Sequence, residues 1–301
     1  MSRLATIALA LVASGSPCFL AAQAVGGGRT TDVFIVAHQD DWQLFMGDVA
    51  FKGIRRGNRA VFIYLTAGDE NRGAQYWMAR ERAALQSTRL AAAAPADSAI
   101  PCVSEKVLEH SVRRCAIANT ASWFLRLPDG RRNGGGFAQN KFQSLRKLQA
   151  RRVSPITAVD GSSAYRDWDD LTSTVRELVR RELSPGNSVT VHTSDPNAVV
   201  NPRDHSDHRM AGLVGARFKI DLGWALIYYV GYALAGRPDN RTPAQREQKT
   251  ALFLVYDREM VLADRAWGTY VERPRFYSMC MLRTYARRVR GRTSVSAAGA
   301  L

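Results

Sequence analysis

Apolar residues along this chain come in two rhythms. Unbroken apolar runs at residues 32–37 (DVFIVA) and 60–65 (AVFIYL) read as strands buried on both faces, as in a parallel sheet. Longer stretches rich in Ala, Leu, Glu and Arg predict helices over 42–56, closed by Gly57-Asn58, and 76–94, stopped by Pro95. Residues 171–183 form an amphipathic helix with Leu171, Val175, Leu178 and Val179 on one face, ended by Pro185-Gly186. A third short strand follows at 188–192 (SVTVH), then a helix over 209–218 and a strand-like run at 225–229. Strand and helix alternating at these spacings predict βαβ units and an α/β fold with a doubly wound, mostly parallel, Rossmann-like sheet. Residues 100–127 break the rhythm as a β excursion, followed by the turn signal Pro128-Asp129-Gly130 and a flexible loop at 133–136. No internal repeat is visible.

The N-terminus belongs to a different class of segment. Arg3 precedes a ten-residue apolar run at 4–13, and Ala22-Gln23-Ala24 offers the small-x-small pattern of a signal peptidase site. Residues 1–24 are therefore expected to be a signal peptide that exports the chain to a periplasmic or extracellular space; the run is too short for a permanent membrane span. In an oxidising compartment cysteines can pair. Cys102 and Cys115 flank a segment that could form a hairpin, so they are the expected bridge, with Cys280 left as a buried thiol.

Composition narrows the partners. The 301 residues are 46% hydrophobic, enough for a sizeable core, and four cysteines are too few for a disulfide scaffold. Lys and Arg number 42 against 27 Asp and Glu, a net charge of +15 that favours anionic partners. Seven arginines and no acid fall between residues 273 and 292, so the basic C-terminus is a candidate contact for an anionic glycan or membrane surface. No nucleic-acid-binding motif is visible, and export argues against a nucleic-acid partner.

The chemistry concentrates in two short clusters. Three of the five histidines lie in His38-Gln39-Asp40-Asp41 and in Asp204-His205-Ser206-Asp207-His208. The first cluster follows a strand directly, at the edge where open α/β sheets bind ligands. A tight turn there can aim His38 and Asp41 at one point, and the second cluster can supply a third donor from the same edge. Two imidazoles and one carboxylate with a vacant position are the pattern of a catalytic zinc ion, and no cysteine nearby suggests a closed structural site. Each cluster taken alone is equally well a helix N-cap or a set of satisfied loop residues. The remaining two histidines carry no assignment: His110 is expected to be exposed, and His192 to sit in or beside the sheet.

With these residues in view, the sequence resembles the PIG-L/LmbE-like zinc-dependent de-N-acetylases. Ala37-His38-Gln39-Asp40-Asp41 resembles that family's AHPDD motif, and residues 204–209 (DHSDHR) resemble its HPDH motif. Thr66-Ala67-Gly68 and Arg80-Glu81 resemble further family segments, and 126–130 (RLPDG) and 237–240 (RPDN) resemble its secreted, glycopeptide-antibiotic-deacetylase-like branch. The resemblance implies a deacetylase domain over 30–260, a basic extension over 261–292 packed on it, and a disordered tail at 293–301. Gln39 departs from the family Pro, so the loop is expected to be looser or to gain a polar contact with substrate.

What the resemblance implies is a hydrolase that removes the acetyl group of an N-acetylglucosamine-type substrate by attack of a zinc-bound water. His38, Asp41 and His208 would hold the metal, Asp40 would be the general base, His205 as an imidazolium would stabilise the oxyanion, and Asp207 would orient a motif histidine. Trp42, Tyr76 and Trp77 could stack on a sugar or simply pack in the core, and Asp129 with the 134–136 loop could close over substrate. A zinc hydrolase of another ester or amide, and a non-catalytic glycan-binding protein on the same fold, remain the alternatives.

Overall fold

The computed structural model describes residues 30–264 and 266–289; the expected signal peptide at 1–24 and the tail at 293–301 lie outside the described residues. In chain order the elements are β1 (Thr30–Val36), α1 (Asp41–Arg55), β2 (Arg59–Thr66), α2 (Ala74–Ala91), β3 (Cys102–Val107), β4 (His110–Ile117), β5 (Thr120–Leu127) and α3 (Leu145–Gln149). After these come β6 (Ile156–Thr157), β7 (Ala164–Tyr165), α4 (Trp168–Glu182), β8 (Ser188–Ser194), α5 (Ser206–Leu222), β9 (Ala225–Tyr229), α6 (Pro243–Ala263), α7 (Pro274–Met281) and β10 (Ala286–Arg288).

The eight-stranded sheet runs β10-β9-β8-β1-β2-β5-β4-β3. Its centre, from β9 to β5, is parallel, while β10 and the β3–β4 hairpin are antiparallel additions at the two edges. The β excursion is thus only partly peripheral, because β5 returns to pair with β2 inside the parallel sheet. Within the hairpin Cys102 lies opposite Cys115, and the two are disulfide-bonded; Cys280 is a buried free thiol.

Successive side chains of β1 and β2 feed opposite faces. Phe34, Val36, Phe62 and Tyr64 pack under α1, α2, α6 and α7, whereas Val33, Ile35, Val61 and Ile63 pack under α4 and α5. Burial on both faces is the reason these strands carry unbroken apolar runs. One expectation fails here. His110 is buried, stacked on Tyr165 with ring centroids 4.1 Å apart and bonded through Nε2 to Asp170 at 3.0 Å, because β7 and the first turn of α4 cover that side of β4. Among the described residues no helix is long and apolar enough to cross a membrane.

Strand order decides where a site can form. From β1 the chain moves to β2 on one side and later to β8 on the other. The connections diverge at β1, which leaves a crevice beyond the C-terminal ends of β1 and β8, as expected at a topological switch point.

Candidate metal centre at the switch point

The loop after β1 and the loop after β8 meet in that crevice. His38 Nδ1 lies 3.3 Å from His208 Nε2 and 3.5 Å from Asp41 Oδ1, and His208 Nε2 lies 3.0 Å from Asp41 Oδ1. Residues 170 positions apart in the chain therefore aim three donor atoms at one point. The local structure prepares this aim. Asp41 opens α1, and its Oδ2 accepts the backbone N–H groups of Ala37 and His38 at 3.0 and 2.8 Å, leaving Oδ1 for the centre. His208 sits in the first turn of α5, and its Nδ1 is bonded to Asp204 Oδ1 at 2.9 Å, which turns Nε2 inward.

Charge is crowded here. Burial opposes a charged His208, but the carboxylates of Asp204 and Asp41 outweigh it and hold the imidazole up at about 10. His38 behaves likewise: burial pushes down and Asp41 pulls it well above the usual histidine range. Burial would raise the Asp41 carboxyl, yet His208 and His38 hold it well below the usual carboxylate range. The carboxylates of Asp41, Asp129, Asp204 and Asp207 surround these imidazoles, so the pocket calls for positive charge. His38 Nε2 is buried without a hydrogen-bond partner, 3.4 Å from Asp129 Oδ2. A buried set of two imidazoles and one carboxylate with converging donor atoms fits a divalent metal of the zinc type. His38, Asp129, His205 and Asp207 converge in a second group that shares His38.

A cavity of about 470 Å³ opens over the centre, and His38, Asp40 and His205 all line it. Asp40 Oδ1 is paired with Arg80 Nη2 at 2.6 Å. Gln39 explains how this pair is held. Its side chain is buried, donates to Thr66 O at 2.9 Å and accepts from Arg80 Nε at 3.2 Å. In place of a proline's rigid ring, hydrogen bonds tie the loop to the end of β2, and the residue faces protein rather than substrate.

His205 caps α5: its Nδ1 accepts the Asp207 N–H at 3.2 Å. A neutral ring with Nδ1 accepting carries its proton on Nε2. Burial and the nearby His38 lower this imidazole to about 4, so the expected imidazolium is replaced by a neutral N–H donor. Asp207 meets a motif histidine through its backbone N–H, while its carboxylate serves elsewhere. Its Oδ2 accepts the Gly130 N–H at 2.7 Å and lies 3.8 Å from both His38 and His205, beyond hydrogen-bond reach. The histidine-orienting carboxylate is Asp204 instead. Its i, i+4 spacing to His208 was a readable signal, since a residue just before a helix can reach back along the first turn.

The aromatics separate. Trp42 is fully buried and donates to Tyr64 Oη at 3.0 Å, and Trp77 is buried under Arg126, whereas Tyr76 reaches the cavity. Tyr232, Trp267, Phe276 and Tyr277 complete the wall. They come from the connection after β9 and from the C-terminal region, and nothing in their local sequence marked them.

A mostly parallel α/β sheet with a His-Asp-His set at its switch point defines the class of a hydrolase-like protein with a buried candidate metal centre. The chain belongs to the PIG-L family, whose model, described as GlcNAc-PI de-N-acetylase, matches residues 33–218 and so spans both motif loops. No curated protein sequence matches the chain. Among solved structures it is similar to N,N'-diacetylchitobiose deacetylase from Pyrococcus horikoshii (16% identity, 86% of this chain and 84% of that one, TM-score 0.45). It is also similar to teicoplanin deacetylase Orf2 (13% identity, 77% and 86%, TM-score 0.43). A third is 4-carboxy-2-hydroxymuconate hydratase from Pseudomonas putida (12% identity, 89% and 100%, TM-score 0.45). Family membership supports a hydrolase of the N-deacetylase class.

Proposed function

We propose that the protein is a zinc-dependent hydrolase that removes the acetyl group from an N-acetylglucosamine-type substrate. The observation that carries this reading is the convergence of His38 Nδ1, Asp41 Oδ1 and His208 Nε2 beneath a cavity walled by Asp40 and His205. His38, Asp41 and His208 would hold the metal, which supplies Lewis acidity that eases proton loss from water and polarises the amide carbonyl.

The remaining steps belong to the chain. Asp40, oriented by Arg80, takes the proton of the attacking water as the new C–O bond forms. The same carboxyl then returns the proton to the amine nitrogen as the C–N bond breaks, giving acetate and a free amino sugar. His205 Nε2–H donates to the carbonyl oxygen as it gains negative charge, a contact worth about 3 kcal/mol for one good donor. Asp204 fixes the His208 ring, and Asp207 anchors the 130 turn against α5.

Export through residues 1–24 is part of this proposal, and the Cys102–Cys115 bond supports an oxidising compartment. The test is acetate release from a panel of N-acetylglucosaminides with and without a chelator. Release that stops on chelation and returns with zinc is expected; a panel with no acetate release from metal-replete protein overturns the reading.

A further inference from the structure

Beside the catalytic cavity lies a second one of about 780 Å³, lined by Arg131, Arg132, Arg146, Arg203 and Arg209 with Ser206. Arg131 and Arg132 line both cavities, so the two spaces adjoin at these residues. None of these five guanidinium groups has a carboxylate partner among the described residues. Several buried or half-buried arginines elsewhere are paired: Arg59 with Glu182, Arg126 with Glu81 and Asp160, Arg241 with Asp48. Even the basic C-terminal stretch is partly neutralised, since Arg283 pairs with Asp239 and Arg287 with Asp195.

The groove's only acid is Asp204, and both its oxygens are engaged, Oδ1 with His208 and Oδ2 with Asn201 at 2.6 Å. Arg132 Nη2 and Arg146 Nη1 donate only to backbone carbonyls, of Arg203 and Asn133, at 2.9 and 2.6 Å. Arg209 Nε is buried with no hydrogen-bond partner. Ser206 and Arg209 belong to the first turn of α5, whose N-terminal end adds a favourable field for anions. Five like charges around one concavity repel one another, and a bound oxyanion removes that repulsion while offering acceptors to the guanidinium donors.

We infer that this groove binds an oxyanion group of the substrate, so that the substrate is a soluble acidic glycan with phosphate, sulfate or carboxylate next to its N-acetylated sugar. This rests on the N-deacetylase reading for the sugar and on the arginine groove for the acid. A concave groove that adjoins the reaction cavity suits an acidic group borne on the sugar's neighbour, whereas a membrane surface is flat and would meet only the rim.

The experiment uses the full mature chain in its metal-replete form. Calorimetric titration with inorganic phosphate is compared between wild type and the Arg146→Gln/Arg203→Gln double variant. Acetate release is then compared between diacetylchitobiose and the same disaccharide carrying a phosphate. Wild type is expected to bind phosphate at least tenfold more tightly than the double variant, with Arg203→Lys retaining most of the affinity. Wild type should also favour the phosphorylated glycan at least tenfold in kcat/KM, and the double variant should bring that ratio toward one. Equal phosphate affinity in the two proteins, or equal kcat/KM of wild type on both glycans, overturns the inference. So does tight binding to anionic phospholipid vesicles without any preference for the soluble phosphorylated glycan. If neither glycan releases acetate while phosphate binding still drops in the double variant, the N-deacetylase reading fails and the oxyanion groove stands.

Discussion

His192 lies on β8, paired with Phe34 of the neighbouring β1, and His38 lies just past the end of β1. Each lies beside an aspartate. Burial does not separate them, at 3% and 5% exposure. Their surroundings do. His192 is satisfied on both nitrogens, by Tyr229 Oη at 2.9 Å and Asp32 Oδ1 at 3.3 Å, and its ring stacks on Phe34. His38 keeps one buried nitrogen without a partner, faces a cavity, and meets a second imidazole delivered by a distant loop. A histidine–aspartate pair inside the sheet is packing with its polar atoms answered. The same pair at the sheet's C-terminal edge is open to a ligand, because the strands end there and leave a cavity.

Substitutions on the two sides should respond differently. The largest effect is expected from His208→Ala, which removes one of three converging donors: metal content measured by elemental analysis should fall to near zero and turnover with it. Full occupancy in that variant would remove His208 from the ligand set. Asp40→Asn should keep the metal but slow acetate release by about 10²–10⁴-fold, the usual worth of a general acid–base group; activity near wild type would take Asp40 out of the chemistry. Asp204→Asn leaves all three donors in place but changes the carboxylate that His208 Nδ1 and Asn201 Nδ2 engage, so metal affinity should weaken about 10–100-fold in a competition titration.

On the packing side, His192→Leu strands the polar atoms of Asp32 and Tyr229 and should lower stability by about 1–3 kcal/mol in a denaturant melt. Its kcat/KM should stay within twofold of wild type; a larger loss would couple the sheet interior to the site. A pH-dependent effect concerns Lys249, buried on α6, whose Nζ donates to Cys280 O, Arg283 O and Thr284 Oγ1. Burial lowers its ammonium from 10.5 to about 8. Between these values the unfolded chain binds more protons than the folded one, so stability from this group rises with pH from about 8 to 10. The slope is at most about 1.4 kcal/mol per pH unit. Lys249→Met should lack that rise, and identical pH slopes in the two proteins would show that Lys249 is not its source.

Much of this was legible from residue order. The apolar runs at β1 and β2 declared a sheet covered on both faces, and the loops carrying His38 and His208 could be located because ligand-binding loops follow such strands. The spacing also carried the Asp204–His208 relation, although it went unassigned. His110 misled because its neighbours Glu109 and Ser111 are polar, and only the cover from β7 and α4 buries it.

What the sequence by itself determined is local: which segments are strands and helices, which cysteines face each other across a hairpin, and which short motifs carry ligand-type side chains. These follow from periodicity and spacing, which act within a few residues. The tertiary structure alone decided that Tyr232, Trp267 and Phe276 wall the cavity, that Gln39 turns inward to hold Arg80, and that five arginines from four separated segments share one groove. Those facts depend on strand order and helix placement, so no window of neighbouring residues contains them.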